Sequence, residues 1–245
     1  MSTLPPIGMK GEGMPAQDLL DRLSKLEAAA AADVMVAMGL ENQVLAPDLR
    51  PVGHSGMAGI ALCVEGRTDV EMAGLPTFDL DALVTPGAVV VISTGGCEKG
   101  AIIGDNMVTS MVQRGARGFL LDGGIRDRGA LAEGPAAVWC RYASPINAHR
   151  KWKYTAMDQP VTLPGIWGEV TIRPGDLILG DDDGVCVLPQ EYAAQIIADA
   201  EIHMRAEAEI KAAIEAGGSR ESATKASRRL QHVRPVTAKA EIPDE

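Results

Sequence analysis

Between Gly104 and Asp127 the chain reads GDNMVTSMVQRGARGFLLDGGIRD, and this stretch leaves the fold few choices. Met107, Met111 and Val112, with small residues between them, give one apolar face at helical spacing. Gly115 breaks that helix, and Gly118 to Leu121 reads as a short strand ending at Asp122. Two glycines then turn the chain sharply into Arg126 and Asp127. A helix with Asp105 in its first turn, followed by a strand with polar groups at its C-terminal end, is half of a layered α/β unit. Such units bind ligands at helix N-termini and strand ends. Twenty residues lie between Asp105 and Arg126, about the length of helix, turn, strand and turn. The spacing therefore predicts that the two face one cleft.

The rest of the chain supplies the layers around this unit. Residues 1–16, rich in Pro and Gly, read as a flexible arm preceding a domain over 17–218. Gln17 to Met38 is helical in pattern, as one helix or, if Asp33 marks a junction, two, with Gly39 as C-cap. Strands are expected over Gly56 to Val64, Ala88 to Ser93, Ala137 to Ala143, Gly165 to Ile172, Leu177 to Leu179 and Gly184 to Leu188, with a short helix over Asp79 to Val84. The glycine-rich Thr94 to Gly104 ends at a helix start, where backbone N–H groups could cradle an anion. It lacks the spacing of a phosphate-binding GxxxxGK[ST] loop and of GxGxxG, and Lys99 within it reads as a solvated loop lysine.

Ser144 to Asp158 reads as a polar excursion; its His149, Arg150, Lys151 and Lys153 suit a loop, a subunit contact or a lid over an anionic substrate. Asp181-Asp182-Asp183-Gly184 lacks the alternating ligands of a calcium loop and reads as a tight turn. A long helix follows from Pro189 to Ala216, and residues 219–245, with six Lys/Arg against four Asp/Glu, read as a flexible tail.

A net charge of −10 argues against nucleic acid as a partner, because phosphate binding needs a basic face. No apolar run approaches the roughly 20 residues of a membrane span. With no apolar signal region at the N-terminus, the expected location is cytoplasmic. The four cysteines, Cys63, Cys97, Cys140 and Cys186, are far apart and read as reduced, buried thiols.

Gly104-Asp105 and Arg126-Asp127 at this spacing, with RGARGFLLDGGIRD between them and VTIRPGDLILGDDDGVCVLP later, closely resemble the RraA-like family. That family includes the metal-dependent 4-hydroxy-4-methyl-2-oxoglutarate and 4-carboxy-4-hydroxy-2-oxoadipate aldolases. The resemblance covers roughly residues 20–217. It implies an α/β fold, a swivelling α/β/β/α sandwich domain with a long C-terminal helix, assembled as a homotrimer or homohexamer with sites between subunits. It implies a carbon–carbon lyase that cleaves a 4-hydroxy-2-oxo acid to pyruvate, with oxaloacetate decarboxylase side activity and Mg²⁺ or Mn²⁺ as cofactor.

By the same resemblance Asp127 holds the metal and Arg126 binds pyruvate's oxygens. The N–H groups of Asn106 and Met107 form the pyruvate-binding backbone, and Asp105 orients a metal-held water. Family aldolases also use a glutamate from a neighbouring subunit, for which Glu201 and Glu207 are candidates. Other members lack the Arg-Asp pair and inhibit a ribonuclease as non-enzymatic regulators; retention of the pair speaks against that alternative. A methyltransferase is disfavoured, since no glycine-rich nucleotide loop with an acidic ribose partner follows an early strand.

Overall fold

A computed structural model describes residues 16–68, 71 and 74–237. The first elements are α1 (Ala16–Leu23), α2 (Ala28–Ala37), β1 (Arg50–Val52), β2 (Met57–Thr68), α3 (Thr77–Leu83), β3 (Ala88–Ser93) and β4 (Ala101–Ile103). The central unit follows as α4 (Asp105–Gln113), β5 (Gly118–Leu121), β6 (Gly124–Ile125), α5 (Arg128–Glu133), β7 (Ala137–Cys140) and β8 (Tyr142–Ala143). A 3₁₀ turn at Ala148–Arg150 leads into β9 (Trp152–Met157), β10 (Val161–Gly165), β11 (Gly168–Ile172), β12 (Leu177–Asp181), β13 (Gly184–Leu188), α6 (Ala193–Glu215) and α7 (Arg220–Ala226).

The main sheet runs β1-β7-β5-β3-β2-β12-β13, parallel from β7 to β2 and antiparallel at both ends. Because side chains alternate along a strand, its two faces carry different cores. One face sends Cys63, Val89, Val91, Leu120 and Ile178 inward against the β10–β11 hairpin. The opposite face is covered in two halves. Val64, Val90, Ile92, Phe119 and Leu121 meet the buried residues of α3, α4 and α5, while Leu177, Leu179, Cys186 and Leu188 meet α1, α2 and α6. A curled sheet packed on itself, with helices on both outer sides, is the expected α/β/β/α sandwich. Aliphatic residues make up most of this core, and Phe119, Trp139, Trp152 and Tyr154 are buried within it.

Several expectations change. The first helical run breaks at Ser24 to Glu27 and not at Asp33, which lies inside α2; Gly39, with φ +79°, follows that helix as its left-handed terminus. The polar excursion contains a strand, because Trp152 and Tyr154 alternate inward past Lys153 and β9 pairs antiparallel with the second half of β2. On α6 the buried face includes His203, while Ile214 near the end of the helix is exposed.

The tail expected to be flexible from 219 instead forms α7, capped by Ser219, and buries Leu230 and Val233 against α2 and α6, its apolar residues being few but correctly spaced. The arm expected over 1–16 lies outside the described residues apart from position 16, as do tail residues 238–245. No described helix is long and apolar enough to cross a membrane.

The four cysteines are free and buried, and burial pushes Cys140 up to about 11 and Cys63 and Cys186 up to about 12. Asp122, at the end of β5, is also buried. It holds the loop after β3 by accepting the Thr94 N–H at 2.5 Å, and Thr94 Oγ1 donates to the Asp122 carbonyl at 3.3 Å. Asp122 therefore ties two strand ends together.

Burial raises the Asp122 pKa, opposed by the Thr94 hydrogen bonds and by Arg141. A folded-state pKa above the unfolded one means a contribution present at acid pH and lost as pH rises through the folded value. Asp122→Asn, which keeps an acceptor for Thr94, should therefore melt higher than the unmodified protein at pH 8. The gain should fade as pH falls towards the ordinary carboxylate value of about 3.9. Thermal melts across that range test it.

Candidate functional site

The site is assembled by a three-stranded parallel sheet, β4-β6-β8. Ala101 sits opposite Gly124 and Ile103 opposite Ile125, and the Arg126 N–H donates to the Ile103 carbonyl at 3.0 Å. This pairing brings the end of β4, and hence Gly104-Asp105, beside the end of β6, and hence Arg126-Asp127. The cleft inferred from spacing is therefore a product of strand pairing.

Two aromatic side chains steady the glycine-rich loop before β4. The Tyr142 hydroxyl lies 2.9 Å from the Cys97 carbonyl and 3.1 Å from the Gly100 carbonyl. Trp152 Nε1 donates to Thr94 O at 2.9 Å. Glu98 and Lys99 project from this loop into solvent.

At the junction the Asp127 Oδ2 accepts the Asp105 N–H at 3.2 Å and lies 3.5 Å from Arg126 Nε. Asp127 occupies the left-handed region, φ +58°, just before α5. For an aspartate this conformation is tolerated at a cost of about 1 kcal/mol. Among the described residues its Oδ1 makes no hydrogen bond.

Gly104 makes the close approach possible. A methyl group there would meet Asp127 Oδ2 at 2.7 Å and Arg126 Nε at 2.9 Å. Its own backbone is extended, φ −151°, so space and not conformation requires glycine.

Met107 N–H, expected to face a ligand, instead donates to the Gly104 carbonyl at 3.1 Å, as does Val108 N–H. Asn106 N–H has no partner among the described residues and is left as the open donor at the positive end of α4. Asp105 has one carboxylate oxygen 3.4 Å from Thr109 Oγ1. Arg126 and Asp127 are 40% and 46% exposed.

A cavity of about 30 Å³ beside them is lined by Ile103, Gly104, Asn106, Met107, Arg126 and Asn147. Asn147 carries no sequence signal for this position. It arrives through a bridge between its backbone and Ala101, a pairing between residues 46 apart in sequence.

The donor set is one exposed carboxylate with a second, Asp105, next to it, all hard oxygen. No group of three or more His, Cys, Asp or Glu among the described residues could hold a metal ion by itself. Such a set fits Mg²⁺ or Mn²⁺, which keep several waters and need one or two carboxylates, and does not fit a zinc cage. The three aspartates at 181 to 183 form the β12–β13 turn, where Asp181 Oδ1 accepts the Asp183 N–H at 3.0 Å. Glu201 pairs with Arg22 and Glu207 with Arg229 within this chain.

Residues 26–187 match the RraA-like family model, described as Aldolase/RraA. A protein of Halalkalibacterium halodurans named "Putative 4-hydroxy-4-methyl-2-oxoglutarate aldolase" is 36% identical over 113 residues, 46% of this chain and 51% of that protein. The match thus spans about half of that relative's length. Among solved structures, an uncharacterized protein from Pseudomonas syringae pv. tomato superposes with a TM-score of 0.74 at 26% identity, covering 85% of this chain and 98% of the other. Streptomyces coelicolor RraAS2, described as an unusual member of the RNase ES inhibitor RraA protein family, gives 0.70 at 27% identity, covering 79% and 96%.

The contact at Gly104 yields a direct test. Gly104→Ala should cost about 1–3 kcal/mol by overpacking, measured by urea unfolding. Combined with Asp127→Ala, which removes one of the atoms struck, the cost should be less than the sum of the two single changes.

Proposed function

The chain belongs to the RraA-like family, and from that premise we propose that it is a divalent-metal-dependent pyruvate aldolase. It cleaves a 4-hydroxy-2-oxo acid to pyruvate and a second carbonyl compound and decarboxylates oxaloacetate as a side activity. The observation that carries this reading is the convergence of Arg126, Asp127 and the open Asn106 N–H at the start of α4. The aldolase name borne by the H. halodurans relative supports it.

Retro-aldol cleavage leaves negative charge on the 2-oxo acid half, and a catalyst must hold that charge more tightly in the transition state than in the substrate. Arg126, with five N–H donors in a fixed fork, suits the carboxylate and keto oxygens of that half. The Asn106 N–H adds a donor with the helix dipole behind it. Asp127 would hold Mg²⁺ or Mn²⁺ through its unpartnered oxygen, and the ion, when bound, supplies Lewis-acid stabilisation of the same developing charge. Asp105 offers a carboxylate oxygen beside these groups, placed to help remove the proton of the C4 hydroxyl.

The cavity beside Arg126 has room for about one water. It can take one end of a ligand only. A second subunit laid over the exposed Arg126 and Asp127 would close the rest, in keeping with a homotrimeric or homohexameric assembly.

The alternative is a non-enzymatic regulator, the reading suggested by the description of S. coelicolor RraAS2. One experiment separates the two. Pyruvate release is measured from oxaloacetate and from 4-hydroxy-4-methyl-2-oxoglutarate, with Mg²⁺ or Mn²⁺ and with EDTA. EDTA and Asp127→Ala should each abolish turnover, and Arg126→Ala should lower kcat/KM by about 10²–10³-fold. No turnover of either compound by folded, metal-supplied protein would overturn the aldolase reading and favour ribonuclease binding.

A further inference from the structure

The helix-covered face of the main sheet leaves a seam where its two cores meet. An open cavity of about 500 Å³ lies there. Its lining draws on both cores, with Val112 and Ala116 from one and Leu26, Ala58 and Leu179 from the other. The cavity sits at the opposite end of α4 from the candidate site. That helix has nine residues, about 13 Å at 1.5 Å per residue, and Asp105 begins it. Neither Arg126 nor Asp127 lines this cavity.

Arg117 reaches the cavity because it shares strand parity with Phe119 and Leu121, whose side chains lie on the helix-covered face. Its N–H donates to the Ala88 carbonyl at 2.7 Å, which fixes the backbone at the start of β5. The side chain is half-buried, and among the described residues its guanidinium has no hydrogen-bond or ion-pair partner. A guanidinium keeps its charge and its five donors at any working pH, so partial burial without a partner costs free energy. The acid of the lining does not relieve it. Asp181 Oδ2 accepts the Ala28 N–H at 2.7 Å and its Oδ1 accepts the Asp183 N–H at 3.0 Å. Ser24 Oγ donates to the Asp21 carbonyl at 3.1 Å. Arg117 is therefore the unmatched charge of this lining.

We propose that this cavity is a second binding site, and that its ligand is a small amphipathic carboxylate. The carboxylate takes the open fork of Arg117, which matches its two oxygens. The aliphatic or aromatic body lies over Ala58, Ala116 and Leu179. Glycine and alanine at positions 56, 58 and 116 leave the room that larger side chains would fill. The volume falls within the range of about 300–1,000 Å³ usual for small-molecule sites, which pair apolar walls with few polar groups. One guanidinium with no second cation on the lining balances a single negative charge, so a carboxylate suits it better than a phosphate dianion.

Titration calorimetry on the full chain tests this with three probes: 4-phenylbutanoate, its uncharged amide, and acetate. The phenyl carboxylate should bind saturably, and the amide and acetate at least about tenfold more weakly. Arg117→Gln removes no partner within the chain, so it should melt as the unmodified protein does while weakening the phenyl carboxylate at least about tenfold. Gly56→Leu adds a side chain where a Cβ would meet nothing within 4 Å, and by filling the groove it should weaken binding too. Arg126→Ala should leave this binding intact. Three results would overturn the proposal. They are no saturable binding up to about 10 mM, binding lost with Arg126→Ala but kept with Arg117→Gln, and a changed sedimentation coefficient in Arg117→Gln or Gly56→Leu, which would give the groove to a second copy of the chain.

Discussion

Everything at the site depends on a parallel pairing between two very short strands, β4 and β6. Parallel pairs are bridged by long crossovers, usually helical, and here α4, β5 and the glycine turn make that crossover. The loop tightens where Arg126 N–H reaches the Ile103 carbonyl. Two dipeptides that the sequence holds twenty residues apart then become neighbours, one starting α4 and the other preceding α5. A pair this short is not stable alone. It survives because β8 extends it and because Ile103 and Ile125 are buried in the core beneath α4 and α5.

That support extends into the main sheet through buried polar ties. Asp122 at the end of β5 clamps Thr94 at the end of β3, and Thr94 in turn receives Trp152 from β9. Tyr142, at the start of β8, closes the same loop from the other side. The glycine-rich segment is thus held by hydrogen bonds at Thr94, Cys97 and Gly100, although its glycines would suit a mobile loop. Desolvating the Asp122 carboxylate costs stability at neutral pH, and the same carboxylate fixes the register of two strand ends that carry the site.

The parts legible in the sequence were those written locally. The α4–β5 unit followed from Met and Val spacing closed by Gly115, and β3 from an unbroken Val-Val-Val-Ile run that proves fully buried. What stayed hidden was non-local. Strand β9 was obscured because Lys153 and Thr155 interrupt a period-two pattern that only Trp152 and Tyr154 carry. The Asn147 wall exists only through its bridge to Ala101. Met107 was paired with Asn106 by analogy, yet the first turn of α4 tightens so that Met107 N–H meets the Gly104 carbonyl. The ordering of the tail came from Leu230 and Val233, two apolar residues too sparse to signal burial before α2 and α6 were in place.

The position of the Arg126 and Asp127 side chains is not owed to their mutual attraction. At 3.5 Å and with both groups 40% or more exposed, such a pair contributes about 0–1 kcal/mol, and salt screens it further. The determinants are instead steric and backbone-borne: the left-handed turn at Asp127, the absent side chain at Gly104 and the Asp105 N–H that fixes Oδ2. A carboxylate held this way by one oxygen keeps the other available, and a guanidinium weakly engaged by its neighbour can turn to an incoming anion at little cost. Strong pairing would hold the two groups to each other, whereas this weak pair leaves Asp127 Oδ1 with no hydrogen bond among the described residues and the Arg126 guanidinium only loosely engaged.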